Sequence, residues 1–171
     1  MDDKSNRPKI KVRRDTLDWI MEFIAFSFMV FLIVFPLIYS GSLPDKIPAH
    51  FNGSGQVDSY GSKATIWLLP VTGLVLYIGL TILENFPQIY NYPVQITEEN
   101  AAKQYKMATR LMRILKTIVL IIFAFLSYKT IEIALGTGTG LGKSFLPVFL
   151  LVTFGVILIY IVRSLNNRFR S

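Results

Sequence analysis

The chain has 171 residues, of which 52% are hydrophobic and only 17% charged, and its formal net charge is +7. A mean hydropathy of +0.46 excludes an ordinary water-soluble domain, which carries a larger charged share and shorter apolar runs. With no cysteine present, disulfide staples, thiolate catalysis and cysteine-based metal sites are excluded too.

Residues 1–16 read as a basic tail carrying Lys4, Arg7, Lys9, Lys11, Arg13 and Arg14. The apolar run that follows, Phe23 to Tyr39, is longer than the roughly 7–15 residues of a signal-peptide core, and no small-x-small cleavage site follows it. It is expected to be an uncleaved anchor. Three more runs come later: Ala64 to Leu83, Thr117 to Tyr128 with its flanks, and Phe145 to Val162. A bilayer core takes about 20 apolar residues per helix, and lysines at helix ends can snorkel to the interface. The fold class is therefore all-α integral membrane, with four spans near 17–40, 63–84, 111–134 and 144–163, followed by a short tail, 164–171.

Between the first two spans stands LPDKIPAHFNGSGQVDSYGSK, residues 43–63, with the chain's one histidine. Pro44 and Pro48 forbid helix and favour extended backbone. Asn52-Gly53-Ser54-Gly55 is turn-forming, so IPAHF and QVDSY can pair as a small hairpin, with Phe51 near Gln56 and His50 near Val57. Ser62 is placed to cap the second helix. One imidazole beside Asp45 and Asp58, at no ligand spacing, makes neither a metal site nor a catalytic one. No cofactor and no enzymatic activity are expected. Asn52-Gly53-Ser54 is read as a turn and not as a glycosylation sequon.

The middle connection begins NFPQIYNYPVQITEEN, and Thr97 followed by Glu98 and Glu99 marks a helix start that runs on into the third span. Along that helix Lys103, Lys106, Arg110 and Arg113 share one face. They are expected to form a solvated stripe against anionic lipid headgroups. Asp18 and Glu22 in the first span, Glu84 at the end of the second and Lys129 with Glu132 at the end of the third are expected to anchor at the interfaces. Near the fourth span, GTGTGLGKS imitates a phosphate-binding loop, but G-x-x-x-x-G-K-[ST] requires glycine where Thr137 stands. A flexible turn is expected there. Pro36, Pro70 and Pro147 fall toward one set of helix ends and would splay them into a shallow cup beneath the first loop.

Of the 18 Lys and Arg residues, 14 fall before the first span, between the second and third, and after the fourth. Lys46, Lys63, Lys129 and Lys143 make up the rest. Positive charge stays inside, so both termini are expected in the cytoplasm and the 43–63 block outside the cell membrane. The net charge then reads as attraction to anionic lipid, not to nucleic acid.

The order Leu43-Pro44, Ile47-Pro48, His50-Phe51-Asn52, Gly55, Asp58, Gly61 and Lys63 resembles the hallmark loop of a bacterial membrane domain of unknown function found in SdpI-like proteins. That resemblance implies a loop between two transmembrane helices and, for some members, immunity to a secreted peptide toxin. The family's longer members carry further C-terminal helices and a second domain, which are not expected in this four-helix chain. The resulting expectation is recognition of a peptide or membrane-active toxin through Pro44, Pro48, His50, Phe51, Asn52, Gly55, Asp58 and Lys63. The alternative is a small-solute transporter or structural membrane subunit acting as a homo-oligomer, although transport calls for polar groups mid-span, where only hydroxyl side chains (Ser27, Thr72, Thr81, Ser127 and Thr153) stand.

Overall fold

The computed structural model describes residues 4–166. Helices α1 (Thr16–Tyr39), α2 (Leu68–Leu83), α3 (Glu98–Ala134) and α4 (Phe145–Asn166) carry the architecture. All four are long and apolar enough to cross a membrane, the second once the 3-10 turn Lys63–Trp67 that leads into α2 is included. Of the expected C-terminal tail, residues 164–166 belong to α4; Arg168 and Arg170 lie outside the described residues.

The chain is not purely α-helical. Strands β1 (Lys46–Phe51) and β2 (Val57–Ser62) pair antiparallel between α1 and α2. Their register also differs from the expected one: Phe51 faces Val57 and His50 faces Ser59, with irregularities on both sides of His50. The physical reason lies in the turn, where the Asn52 amide donates to the Gln56 carbonyl at 2.8 Å, so Gln56 closes the loop instead of starting β2. Pro48 beside the first irregularity has no N–H to give to the ladder.

Helix starts follow the sequence closely. At α1 the Asp15 carboxylate accepts from the Asp18 amide at 3.1 Å, and Asp18 accepts from the Asp15 amide at 3.0 Å. This reciprocal capping satisfies two donors that the first turn would otherwise leave free. Thr97 and Asn100 repeat the device at α3. Ser62 accepts from the Ala64 amide ahead of α2.

Helix α3 is the spine. At 37 residues it is about 55 Å long, more than a bilayer core requires. Helix α1 runs parallel to it and α2 antiparallel, and Ala25, Met29, Leu32 and Leu120 form the core where they meet. Gly73 brings α2 close, since a Cβ there would stand 2.6 Å from Leu32 Cδ2. Helix α4 packs antiparallel on α3. Stacked Phe125 and Phe145 rings, 5.3 Å apart, fix one end of that contact. Buried Gln104 and Ser164 fix the other, joined at 2.6 and 3.1 Å. The described N-terminal residues and the end of α4 thus lie at one end of the bundle, and the hairpin lies at the other.

The N-terminal segment is not a free tail. Tyr105 donates to the Pro8 carbonyl at 3.0 Å, and Arg7 donates to the Gln88 and Tyr90 carbonyls. Ile10 and Val12 cover a small core of Val94, Ile96, Ala101 and Tyr105. Burial pushes the Tyr90 hydroxyl up to about 12; it stays protonated at neutral pH and donates to the Leu83 carbonyl at 2.9 Å. The basic segment, the middle connection and the lower part of α3 form one packed base.

Candidate functional site

Two regions bring polar residues together, one at each end. At the hairpin end, Leu43, Ile47, Ile66 and Ile131 form a buried cluster, with Phe35, Tyr39 and Trp67 against it, and it seats the sheet on the helix tips. The turn is locked from within: Asn52 Oδ1 accepts from the Ser54 and Gln56 amides at 2.9 and 3.1 Å. It is also locked from outside. The Leu141 amide donates to the Gly55 carbonyl at 2.7 Å. Gly55 has φ +75°, and a Cβ there would lie 2.7 Å from the Gly142 carbonyl oxygen. The glycine run expected to be a flexible turn is instead the dock for the hairpin tip.

Beneath the sheet is a cavity of about 650 Å³, walled by Pro48, His50 and Phe51 of the hairpin, Leu69 of α2, Leu126 of α3 and Phe145 of α4. It lies beneath the first loop, where a cup was expected, but Pro36, Pro70 and Pro147 do not line it. His50 is exposed at its rim, its Nδ1 lying 2.6 Å from Asp58 Oδ1 across the strands. Asn52 also lines the cavity, although both of its acceptor contacts serve the turn. Four expected binding residues lie elsewhere. Pro44 is exposed before β1, Gly55 and Asp58 hold the hairpin, and Lys63 pairs with Asp45 at 3.3 Å near its base. Chemically, the cup offers an apolar floor with a few polar groups at its edge, the usual build of a small-ligand or peptide-segment site.

At the other end, the expected lipid-facing stripe turns inward. Of its members Lys103 is exposed, whereas Lys106 and Arg110 both contact Asp15 and Asp18, and Arg113 is 2% exposed. Arg113 Nε donates to Glu84 Oε2 at 2.8 Å, and its Nη1 stands 3.0 Å from Asp18 Oδ1. One helical turn farther, Lys116 donates to Glu84 at 2.9 Å, Glu22 at 2.9 Å and Thr81 at 2.8 Å. Tyr77 donates to Glu22, and Arg14 reaches Glu84 at 3.0 Å. The Asp15 carboxyl, just outside α1, is held below its usual range, first by the Asp18 amide.

This network corrects the interface-anchor expectation for Asp18, Glu22 and Glu84. Lys116 lies twelve residues along α3 from Gln104, or about 18 Å, which puts it level with the middle of α4. Charge at that depth is tolerated because every carboxylate has cationic partners. Sequence reasoning missed the cluster, although its signal was present. Asp18 and Glu22 are one turn apart, as are Lys106, Arg110 and Arg113, so two parallel helices can match them rung by rung.

The fold and these two regions define a multi-pass helical membrane protein with a β-hairpin capping one end of the bundle. Comparison with known proteins adds a family match over the hairpin region: a domain of unknown function (DUF1648) matches residues 27–74, from mid-α1 through the hairpin into α2. An uncharacterized protein of Archaeoglobus fulgidus is 27% identical over 70 residues, covering 36% of this chain. The chain spans 38% of that relative's length. No solved structure matches.

Proposed function

We propose that the protein is a binding protein of the cell membrane, with both termini cytoplasmic and the hairpin outside, and that its cup recognises a peptide or membrane-active toxin, giving immunity or sensing. The cavity of about 650 Å³ under the hairpin carries this reading. It falls within the roughly 300–1,000 Å³ usual for ligand pockets, and its walls suit the apolar side chains of a membrane-active peptide. His50 at the rim supplies a polar contact to fix orientation. The loop's resemblance to SdpI-like proteins supports the same reading, and the distribution of Lys and Arg supports the orientation.

The test pairs survival with stability. Cells expressing the protein are challenged with candidate membrane-active peptides, and each variant's melting is followed in detergent. Leu126→Trp fills the cup from the α3 side and is expected to abolish protection at an unchanged melting temperature. His50→Ala is expected to weaken protection, again without loss of stability. Full protection with the cup filled would leave the hairpin as a structural cap. Orientation is tested separately with single cysteines: Ser54→Cys and Thr139→Cys are expected to react with an impermeant thiol reagent in whole cells, and Glu99→Cys is not.

A further inference from the structure

One polar group in the wall of the cup is left unpaired by the fold. Thr130 of α3 is 7% exposed and lines the cavity, one turn from Leu126 on the same wall. A threonine inside a helix can return its hydroxyl to the carbonyl four residues back. Two on this helix do so: Thr109 donates to the Tyr105 carbonyl at 2.9 Å and Thr117 to the Arg113 carbonyl at 2.8 Å. Thr130 makes no hydrogen bond among the described residues. Ser127, three residues earlier, has no partner there either, but its Oγ is sealed within the packing. A buried hydroxyl without a partner costs free energy, and one that lines a cavity can recover it from a ligand.

The hairpin side of the cup supplies two more groups. Asn52 lines the same cavity, and two backbone amides donate to its Oδ1. Those contacts fix which branch of the side-chain amide is oxygen, so Nδ2 is a donor, without a partner among the described residues. His50 Nδ1 stands against the Asp58 carboxylate, which can only accept. The proton therefore sits on Nδ1, and Nε2 is the acceptor of the neutral ring. Two donors and an acceptor over an apolar floor match the carbonyls and N–H groups of a peptide backbone. We propose that the cup grips an uncharged apolar peptide segment by its backbone, with Thr130 donating to one carbonyl at the inner wall and Asn52 to another beneath the hairpin. Leu69, Leu126 and Phe145 receive its side chains. The proposal rests on the reading of the cup as the peptide site, and it names what selects the peptide there: backbone amides beside apolar side chains.

The full chain in a neutral detergent is irradiated with acetyl-leucyl-photoleucinamide, a capped neutral dipeptide that carries a diazirine. Labelling is followed against dipeptide concentration, and the labelled segment is located by mass spectrometry. Saturable labelling is expected on the hairpin and on α3 around Leu126. Thr130→Val, which keeps the shape and removes the hydroxyl, is expected to raise the half-saturating concentration about fivefold, the worth of one net hydrogen bond. Its melting temperature without dipeptide is expected to hold or rise, because an unpaired buried hydroxyl has gone. Thr130→Ser is expected to restore most of the affinity, and Ser127→Ala to leave labelling unchanged. Undiminished labelling of Thr130→Val, or a loss accompanied by a lower melting temperature, would overturn the proposal. So would a photoactivatable phosphatidylcholine that labels the cup and is not displaced by the dipeptide, which would assign the cavity to lipid. Leu126→Trp separates this proposal from the reading beneath it. If labelling is lost in Leu126→Trp but intact in Thr130→Val, the cup stands as the peptide site and the hydroxyl's part falls. Labelling of α3 that survives Leu126→Trp would overturn both.

Discussion

The two ends of the bundle solve the same problem with opposite chemistry. At the ionic end three helices are clamped by side-chain charges buried from solvent, Asp18 at 0% and Lys116 at 1% exposure. At the hairpin end the ion pairs of the sheet and its base, His50–Asp58 and Lys63–Asp45, are exposed, and the parts are held by backbone contacts and a small apolar cluster. Burial decides what each pair is worth. A charge taken out of water must be matched or it destabilises the fold, whereas an exposed pair trades water for a partner at little gain. One end therefore cannot lose a charge without weakening the match for another, whereas the other end carries a cavity.

The widest gap between the ends should come from single charge deletions. Arg113→Ala takes a buried cation from both Asp18 and Glu84, leaving Lys106 and Arg110 on the first and Arg14 and Lys116 on the second. The expected cost is about 3 kcal/mol, the low end of the range for breaking a buried pair. It would be read as a large fall in melting temperature in detergent, and a near-neutral result would mean that water reaches the cluster. Next comes Gly55→Ala. A left-handed residue with a Cβ costs about 1–2 kcal/mol, and the approach to the Gly142 carbonyl adds to that. Proteolysis of the hairpin tip should accelerate. Thr97→Ala removes the α3 cap and should cost about 1 kcal/mol, visible as faster amide exchange at Asn100 and Ala101. The smallest effect belongs to Asp58→Ala. The loss of its pairing with exposed His50 should cost under about 1 kcal/mol, within the scatter of a melting measurement. Should Asp58→Ala rival Arg113→Ala, the contrast between the ends would collapse.

Much of this architecture was legible because its causes are local. Apolar run length marks the spans, Thr97 and Ser62 announce helix starts by their own side chains, and the Pro-rich block with a central Asn-Gly implies a hairpin. The register slipped because a turn closed by Gln56 cannot be told from a shorter one by residue type alone. A cup beneath the first loop was expected from Pro36, Pro70 and Pro147, yet the cavity there is lined by none of them and its floor is Leu69, Leu126 and Phe145. Those residues belong to three separate spans, and in each they look like any other lipid-facing residue. The ionic network failed for the same reason in stronger form. Each acid sits near the end of its own span and looks like an anchor, and only the parallel packing of α1 on α3 converts anchors into a clamp.

That clamp also sets an order of events during synthesis. Asp18 and Glu22 leave the ribosome far ahead of their partners, with Lys106 following Asp18 by 88 residues and Lys116 following Glu22 by 94. At about 5–20 residues per second, α1 waits several seconds for its α3 partners, with Arg14 as the one cation of the network already made. The clamp between α1 and α2 is therefore complete only when the third span brings its cations alongside.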